Sequence, residues 1–313
     1  SFPQIALAFF FSHDPILELH ARILFYIGKG TFMKHFNDKV AVITGGASGL
    51  GRAMANRFAK AGMKLVIADI EEKSLEETVS SFESQGYKII GKHCDVSKAE
   101  DVEGLAETSL KNFGSVDILC NNAGVSVTGR AWEHSRAEWE WAIGVNIWGV
   151  INGIKTFTPI MLNQDSDGHI INTASVAGLL SLPQMSVYCL TKHSVVTLTE
   201  SLYHDLIEIG AKISCSVLCP AYVPTNISKS ERNRPNHLKD SRIKTEENIR
   251  MEKKLEYAVE SGKISADNVA ELVFEAIVEN KFYILSHPRI KPTVEERVND
   301  ILKDKQPTNT FSK

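Results

Sequence analysis

A tyrosine and a lysine separated by four positions, Tyr188 and Lys192, have the types and spacing for acid–base chemistry. On a helix this spacing places both side chains on one face. A tyrosine hydroxyl can protonate the oxygen of a carbonyl that accepts hydride, but its ordinary pKa of about 10 is too high for a base at neutral pH. Because a neighbouring cation lowers that pKa, Lys192 is predicted to favour the phenolate form of Tyr188.

A serine, Ser175, follows a predicted strand that ends with Asn172 and Thr173. Its hydroxyl can hydrogen-bond the same substrate oxygen and orient it. Taken alone, a helical tyrosine usually serves packing and a serine after a strand usually serves a turn, so the prediction of catalysis depends on the tyrosine, lysine and serine occurring together. The hydride itself must come from a cofactor, which the protein binds and orients.

A glycine-rich segment, residues 45–51, follows directly after the first predicted strand and precedes a helical stretch that begins near Arg52. Glycines there permit a tight turn, a close approach of the backbone to a pyrophosphate, and close packing of the helix on the strand. The helix N-terminus adds partial positive charge and free N–H groups. This context predicts a dinucleotide-binding turn whose contributing residues are Gly45, Ser48, Gly49, Leu50 and Gly51.

The second predicted strand ends at Asp69, about 20 residues beyond the glycines, where a carboxylate accepts hydrogen bonds from ribose hydroxyls. The same charge repels the 2'-phosphate of NADP, which instead requires a basic residue beside that position or in the turn. Ile70 and Ser48 occupy those places, and the direction of Arg52 is left open. The sequence therefore predicts NAD as the cofactor rather than NADP. An ordinary strand-end cap is the alternative for Asp69.

Short apolar segments alternate with amphipathic stretches from Lys39 onward, which is typical of repeated βαβ units around a parallel sheet. The predicted strands are residues 40–44, 64–69, 88–94, 118–121, 169–173, 212–219 and 282–285. Capping boxes at Ser97, Ser135 and Thr293 predict three helix starts. Since no linker or change of composition divides this region, we expect a single domain.

In their order and spacing these residues resemble the short-chain dehydrogenase/reductase family, in its short single-domain branch. The resemblance covers roughly residues 39–285. Its marks are the glycine turn, Asp95-Val96 after the third strand, Asn121-Asn122-Ala123-Gly124 after the fourth, Asn146, Ser175, and Tyr188-Cys189-Leu190-Thr191-Lys192. It implies an α/β fold of the Rossmann type, with a doubly wound, seven-stranded parallel sheet flanked by helices. It also implies an NAD-dependent dehydrogenase or reductase acting on CH–OH groups.

The resemblance also assigns roles at the site. It implies that Asp95 and Val96 flank the adenine, and that Asn146 holds a water between Lys192 and solvent. The implied catalytic set is Asn146, Ser175, Tyr188 and Lys192. The other implied cofactor contacts are Ile70, Asn122, Ala123, Gly124, Pro220, Val223 and Thr225, together with Tyr188 and Lys192. Ala221 stands where the family pattern has glycine, which restricts the backbone beside the nicotinamide.

The predicted substrate pocket lies near residues 125–128 and 176–182. Candidate substrate contacts are Ser175, Val176, Met185, Tyr188 and Tyr222. Mostly apolar walls favour a hydrophobic secondary alcohol or ketone that is steroid-like, fatty or aromatic, and the NAD prediction favours oxidation. A polar, charged stretch at residues 226–262 interrupts the strand–helix alternation where ligands bind in such folds. It predicts a mobile lid, with a solvated face as the alternative.

Two other functions share parts of this pattern. A catalytically silent NAD(H)-binding sensor or scaffold can keep the fold without turnover, although such a protein would be expected to lose the tyrosine, lysine or serine. The epimerase/dehydratase branch also has the Tyr-x-x-x-Lys pair. Its glycine turn is spaced differently, however, and its substrate domain is longer than the segment following Thr225 here.

The composition is typical of an ordinary soluble globular protein, with 43% hydrophobic and 23% charged residues. The formal net charge of -3 gives no basic field for general nucleic-acid binding. The five cysteines show no CxxC pair and no histidine spacing of a zinc site, so we expect reduced cysteines, no metal and a cytoplasmic location. The family resemblance implies a homo-oligomer, either a dimer or a tetramer.

Residues 1–32 are predicted to be an extension outside the fold, because Met33-Lys34 resembles a natural start just ahead of the first strand. The apolar run at residues 5–11 is too short to span a bilayer, so no integral membrane span is expected, and it lacks the flanks of a secretory signal. A membrane-surface anchor is the alternative for this extension. Residues 33–288 are then the cofactor-binding domain, including the lid. Residues 289–313 are a C-terminal helix, predicted at 293–303, and a tail.

Overall fold

The structure is a computed structural model that describes residues 33–239 and 245–309. The predicted N-terminal extension, residues 1–32, lies outside the described residues. So do residues 240–244 of the predicted lid and residues 310–313 of the tail. Within the described residues, no helix is long and apolar enough to cross a membrane.

Seven parallel strands in the described part of the chain form one sheet in the order β3-β2-β1-β4-β5-β6-β7. They are β1 (Val40–Thr44), β2 (Lys64–Asp69), β3 (Ile89–His93), β4 (Ile118–Asn121), β5 (Gly168–Thr173), β6 (Ile213–Cys219) and β7 (Tyr283–Leu285). All seven predicted strands are confirmed, with ends that differ by at most one residue. The order reverses between β1 and β4, which opens a crevice beyond the carboxyl ends of these two strands.

Nine α-helices within the described residues flank the sheet, and they confirm the single-domain, doubly wound α/β fold of the Rossmann type. They are α1 (Gly49–Lys60), α2 (Glu72–Glu83), α3 (Ala99–Phe113), α4 (Arg136–Ile143), α5 (Gly149–Asn163), α6 (Ser186–Glu208), α7 (Glu246–Glu260), α8 (Ala266–Glu279) and α9 (Lys291–Leu302). A π-helix, Gly144–Trp148, joins α4 to α5. Single turns of 3-10 helix include Val176–Gly178 and Asn236–Leu238, and a longer one spans Asn226–Asn233.

The central strand β1 separates two apolar layers, and all five of its residues are buried. Val42 packs into the layer that contains Phe157 of α5, whereas Ile43 packs into the opposite layer, which contains Phe58 of α1. A parallel strand covered on both faces is predominantly apolar, which explains why most strands contain continuous apolar segments in the sequence. The packing fixes the carboxyl ends of β1 and β4 as a rigid platform.

Of the capping boxes predicted at the starts of α4 and α3, the first is present and the second is absent. Ser135 and Glu138 form the predicted capping box that begins α4. The prediction at Ser97 is wrong, because its hydroxyl donates to Asp95 Oδ1 at 2.7 Å and α3 begins only after Lys98. A competing acceptor two residues away thus removes the hydroxyl from the helix end.

The C-terminal half of the chain has capping boxes at other positions than predicted. The prediction at Thr293 is wrong, because α9 already begins at Lys291 and Thr293 lies in its first turn. Boxes instead begin α7 at Thr245 and α8 at Ser265. The third residue of both helices is an asparagine rather than the usual glutamate or glutamine, so the standard sequence pattern does not detect them.

All five cysteines are buried and unpaired. Cys215 and Cys219 lie in β6, the buried strand predicted for them. Burial raises the pKa of Cys219 to about 12, so its thiol stays protonated and unreactive at neutral pH. Among the residues that the structure describes, no cluster of histidine, cysteine and acidic side chains is placed to hold a metal ion.

Candidate active site

The backbone between β1 and α1 forms a cradle at the carboxyl end of the sheet. Gly45 and Gly49 have φ angles of 63° and 51°, a left-handed conformation that favours glycine. A Cβ on Gly51 would collide with the carbonyl group of Gly45, so only glycine fits there. No side chain caps the start of α1, which leaves its first N–H groups available to an anion. The cradle therefore has the shape and polarity that a pyrophosphate needs.

Asp69 lies at the end of β2, where it lines the same cleft as the glycine turn. Its Oδ2 accepts from the N–H of Ala47 at 3.0 Å, and its Oδ1 accepts from the N–H of Glu71 at 3.1 Å. Burial raises the pKa of Asp69, and these backbone hydrogen bonds lower it. Arg52 is exposed and does not line the cleft, so it brings no positive charge to this end.

One continuous cleft connects the glycine turn to the predicted catalytic residues. The predicted cofactor residues that line it are Gly45, Ser48, Gly49, Leu50, Asp69, Ile70, Asp95, Val96, Asn122, Ala123, Gly124, Tyr188, Lys192, Pro220, Val223 and Thr225. Gly51 does not line the cleft, and it acts through the close packing of the turn. Ala221 also lines the cleft, and its N–H donates to Ser286 Oγ at 3.4 Å.

Tyr188 and Lys192 lie in the first two turns of α6, and both line the cleft together with Ser175. The Ser175 side chain acts on the Tyr188 hydroxyl as a hydrogen-bonding neighbour that lowers its pKa, and Ser175 Oγ also donates to the Pro220 carbonyl at 3.3 Å. Lys192 Nζ lies 5.7 Å from the centroid of the Tyr188 ring and donates to the Thr173 carbonyl at 3.0 Å. Ser175 is also the N-cap of the 3-10 helix Val176–Gly178, which fixes the direction of its side chain. The structure thus brings together the three residues that the sequence combines.

The protein environment shifts the pKa of both titratable groups in this pair. Burial raises the pKa of Tyr188 to about 12, and the hydrogen bond with Ser175 acts in the opposite direction. Burial lowers the pKa of Lys192 to about 8. Each shift favours the neutral form of its group, as expected for charges removed from water. Ionisation of Tyr188 therefore depends on positive charge held beside it in the cleft.

Asn146 is buried in the π-helix and does not line the cleft. Its Oδ1 accepts from the Val125 N–H at 2.8 Å, while its Nδ2 donates to the Val125 carbonyl at 2.9 Å and to Thr191 Oγ1 at 3.0 Å. A Cβ on Gly124 would lie 3.3 Å from both Asn146 Oδ1 and Lys192 Nζ. Asn146 thus joins the segment after β4 to α6 close to Lys192. Its predicted role in holding a water stays a prediction.

Three predicted substrate residues do not line the cleft. Val176 lies behind Ser175, and its N–H donates to the Pro220 carbonyl at 2.9 Å. Met185 packs against Cys189 in an apolar cluster that α7 covers from outside. Tyr222 is 40% exposed and lies outside the cleft. Their roles as substrate contacts stay predictions, and their absence from the cleft lining shows that nearness in sequence to the catalytic residues does not fix side-chain direction.

Other residues occupy the substrate side of the cleft instead. The unpredicted lining residues of α4 and the π-helix are Glu140, Trp141, Gly144 and Val145. Trp141 and Val145 are four positions apart and so share one helical face. That periodicity is the signal from which they could have been predicted. Residues of the described part of the predicted lid also line the cleft, and of these Arg232 and Asn233 contact Glu71 at the Asp69 end. The lining residues of the lid are Asn226, Ile227, Ser230, Arg232, Asn233, Pro235, His237 and Leu238.

Residues 226–239, called the lid segment below, run across the open side of the cleft. Ser230 Oγ accepts from the Ser126 N–H at 3.1 Å, and Leu238 packs against the apolar cluster that contains Trp141. The following helix α7 is fastened to the loop after β4, since Arg130 lies 2.7 Å from the Glu247 carboxylate. The predicted lid is therefore held over the cleft by side-chain contacts on its substrate side.

Comparison with known proteins shows which family the chain belongs to. The sequence model of the family described as short chain dehydrogenase matches residues 39–236. This range begins just before β1 and includes the glycine turn, Ser175, Tyr188, Lys192 and most of the lid segment. The chain belongs to the short-chain dehydrogenase/reductase family.

Relatives match over nearly the whole chain. A protein of Lactiplantibacillus plantarum named CLA biosynthesis dehydrogenase/reductase is 36% identical over 278 residues, which cover 88% of this chain and 97% of the relative. The C alpha-dehydrogenase of Sphingobium sp. is 31% identical and covers 86% of this chain and 87% of its own. The crystal structure of a short-chain dehydrogenase/reductase from Burkholderia phymatum in complex with NAD is 49% identical, with a TM-score of 0.89, and covers 90% of this chain and 100% of its own.

Proposed function

We propose that this protein is an NAD-dependent alcohol dehydrogenase or ketone reductase in which Tyr188 transfers the proton. The observation that carries the proposal is the contact between the Tyr188 and Ser175 hydroxyls inside the cleft, with Lys192 Nζ 5.7 Å from the tyrosine ring. This arrangement lies at the opposite end of the cleft from Asp69. A dinucleotide with its adenosine at Asp69 would place its nicotinamide near the three side chains.

The residues at the cofactor end fit NAD. The cradle of Gly45, Gly49 and Gly51 leaves no room for a Cβ at Gly51, which keeps the turn tight, and Gly45 and Gly49 line the cleft where a pyrophosphate would bind. The Asp69 carboxylate is oriented by two backbone N–H groups and can accept from ribose hydroxyls. When bound, NAD accepts or returns the hydride. The solved relative from Burkholderia phymatum binds NAD, which supports the same choice here.

The catalytic side chains have distinct tasks in this proposal. In the oxidation direction, Tyr188 as phenolate takes the proton from the substrate hydroxyl. Ser175 hydrogen-bonds the same substrate oxygen and orients it. Lys192 adds positive charge that lowers the pKa of Tyr188 and so opposes the effect of burial. In the reduction direction the Tyr188 hydroxyl returns the proton to the carbonyl oxygen.

The substrate proposed for this site is a hydrophobic secondary alcohol or ketone, steroid-like, fatty or aromatic. The substrate side of the cleft is lined by Val125, Trp141, Val145, Ile227 and Leu238. Apolar walls of this kind bind the body of a substrate, while a few polar groups fix its orientation. The two curated relatives are named a CLA biosynthesis dehydrogenase/reductase and a C alpha-dehydrogenase, which supports the reaction class.

The proposal is tested by titrating the purified protein with NADH and NADPH by fluorescence, followed by NAD-linked oxidation of a panel of hydrophobic secondary alcohols. Tyr188→Phe is expected to lower kcat by about a thousandfold and to change the Kd for NADH by no more than about twofold, because the hydroxyl that transfers the proton is removed while the aromatic ring that lines the cleft is kept. The matched control is Tyr257→Phe, since Tyr257 lies on α7 and is 74% exposed.

The outcomes separate the candidate functions. Turnover that disappears in Tyr188→Phe and persists in Tyr257→Phe supports the proposal. NADH binding without turnover of any alcohol or ketone would favour the catalytically silent sensor or scaffold. A protein that binds neither nucleotide would contradict the assignment of the cleft.

The expected homo-oligomer, a dimer or tetramer, and the expected cytoplasmic location stay predictions. Two large apolar side chains support association through helices that flank the sheet. They are Trp148 of the π-helix and Leu190 of α6, which are 50% and 47% exposed.

A further inference from the structure

An ion pair closes the Asp69 end of the cleft by joining the lid segment to the residue that follows β2. Arg232 donates to Glu71 Oε1 at 2.6 Å, and Asn233 Nδ2 donates to the same oxygen at 2.8 Å. Glu71 is two residues beyond Asp69, and both line the cleft. The contact therefore lies where the adenosine ribose of the cofactor is proposed to bind.

The guanidinium group of Arg232 is held in one orientation by the lid segment itself. One terminal nitrogen donates to the carbonyl groups of Asn226 at 3.0 Å and Lys229 at 2.8 Å, while the other donates to Glu71. Burial acts to raise the pKa of Glu71, but the hydrogen bonds from Asn233 and Arg232 outweigh it and lower that pKa. Glu71 is thus a carboxylate at neutral pH, and it matches the charge of Arg232.

The ion pair is linked to Asp69, the carboxylate proposed to bind the ribose, through the backbone of Glu71. The N–H of Glu71 donates to Asp69 Oδ1 at 3.1 Å, and the other carboxylate oxygen of Asp69 accepts from Ala47. Asp69 therefore lies between the glycine turn and the residue that binds the lid segment. A change in the side chain of Glu71 acts next to the position that distinguishes NAD from NADP.

Few cations are placed to bind a phosphate at this end. Among the described residues that line the cleft, the lysines and arginines are Lys98, Lys192 and Arg232. Lys192 lies at the far end beside Tyr188. Lys98 Nζ is 4.0 Å from Asp95 and its side chain is 56% exposed. Arg232 is the arginine next to Glu71, and Glu71 already accepts from one of its two terminal nitrogens.

We propose that Glu71 determines cofactor selectivity by keeping Arg232 paired, so that its guanidinium group does not bind the 2'-phosphate of NADP. This inference rests on the proposed function, and it adds a second determinant to the charge of Asp69. Arginine is well suited to phosphate, because its planar group donates two parallel hydrogen bonds and keeps its charge. Removing the charge of Glu71 would leave that group beside Ile70 without its carboxylate partner.

The test compares NADH and NADPH binding by fluorescence titration and does not depend on turnover. Glu71→Gln keeps the size of the side chain and an oxygen that can accept from Asn233. We expect it to lower the Kd for NADPH about tenfold and to change the Kd for NADH less than about threefold, because one charge-assisted contact is gained by the phosphate alone. In the double variant Glu71→Gln/Arg232→Gln the gain in NADPH affinity is expected to disappear.

A matched control is available in the same lid segment. Lys229 forms ion pairs with Glu256 at 3.2 Å and Glu260 at 3.1 Å and does not line the cleft, so Lys229→Gln is expected to leave both Kd values unchanged. Thermal unfolding of each variant checks that it is folded.

The outcomes are distinct for the inference and for the proposed function. An unchanged ratio of the two Kd values in Glu71→Gln would overturn the inference while leaving the proposed function intact. A gain that persists in the double variant would overturn it as well, because Arg232 would then not be the phosphate ligand. A wild-type protein that binds neither nucleotide would overturn the proposed function and the inference together.

Discussion

The two halves of the cleft are built from different kinds of contact. In the cofactor half, the backbone of the glycine turn and the N–H groups around Asp69 define the surface. In the substrate half, side chains from distant parts of the chain hold the lid segment and α7, as Ser230 does on Ser126 and Arg130 on Glu247. Backbone geometry tolerates few substitutions, whereas side-chain contacts can be exchanged without loss of the sheet. Cofactor binding is therefore constrained by the fold, and substrate choice by the surface that covers it.

The largest expected effect comes from the cofactor half. Gly51→Ala places a methyl group against the backbone of Gly45, so the turn must open. Overpacking of this kind costs about 1–3 kcal/mol, and we expect the Kd for NADH to rise about a hundredfold. Fluorescence titration measures it. Gly104→Ala is the matched control, because its new Cβ would meet only the end of a flexible lysine at 3.9 Å. If both variants bind NADH equally well, the backbone of the glycine turn does not define the cofactor-binding surface.

The next effect concerns the pH dependence of the catalytic pair, which lies between the two halves. Oxidation requires the deprotonated form of Tyr188, whose pKa burial raises to about 12 in the cofactor-free protein. We therefore expect kcat/KM for alcohol oxidation to rise about tenfold for each pH unit below the pKa that applies in the complex. Ketone reduction requires the protonated form, so its kcat/KM should stay constant there and fall only at higher pH. Flat profiles in both directions would contradict Tyr188 as the proton-transfer residue.

A smaller effect is expected in the substrate half. Leu238→Ala removes an apolar side chain that packs with Trp141 beside the cleft. The KM for a hydrophobic alcohol is expected to rise about fivefold to tenfold, as for the loss of one to two buried methylene groups, while the Kd for NADH changes little. Leu302→Ala, at a position 74% exposed on α9, is the control. If NADH binding weakens as much as substrate binding, the two halves are not separable.

The smallest effect is expected from the ion pair that fastens α7. Glu247→Gln removes the charge that pairs with Arg130 at 2.7 Å and also accepts from Gln184. Because a partly exposed ion pair contributes only about 0.2–1 kcal/mol, we expect a Tm lowered by no more than about 3 °C and a KM changed less than about fivefold. Lys73→Gln, which removes the exposed pair with Glu77 on α2, is the control for stability. A large loss of NADH affinity in Glu247→Gln would show that α7 also acts on the cofactor half.

The cofactor half could be predicted from sequence because its determinants are local. Most strands contain a short apolar run, the glycines directly follow β1, and Asp69 is the last residue of β2. Tyr188 and Lys192 share a helix, so their spacing alone places them together. The capping box at Ser97 failed even locally, since Asp95 competes for the hydroxyl. A local sequence pattern therefore predicts a hydrogen bond correctly only where no other acceptor or donor competes for the same side chain.

The segments that cover the cleft could not be predicted because their contacts join residues far apart in the chain. Glu71 and Arg232 are separated by 161 positions, and nothing in either local pattern indicates that they meet. Val176 and Met185 are near catalytic residues in sequence, but neither lines the cleft, and Met185 packs in a cluster with residues of α7. The direction of a side chain beside a strand end depends on the segment that packs over it, here the lid segment or α7. The path of that segment is set by tertiary contacts and cannot be read from the local sequence.

The π-helix between α4 and α5 has a consequence for insertions and deletions. A π-helical turn is in effect an α-helix with one added residue. Before it, α4 directs Trp141 into the substrate half; after it, α5 directs Asn152 to the Val96 carbonyl at 2.9 Å, beside the cofactor half. Deleting one residue between them would rotate one helix by about 100° relative to the other. Trp141 and Asn152 could then no longer both keep their present contacts. The added residue therefore sets the rotation of α4 relative to α5, and with it the relative orientation of the two binding surfaces.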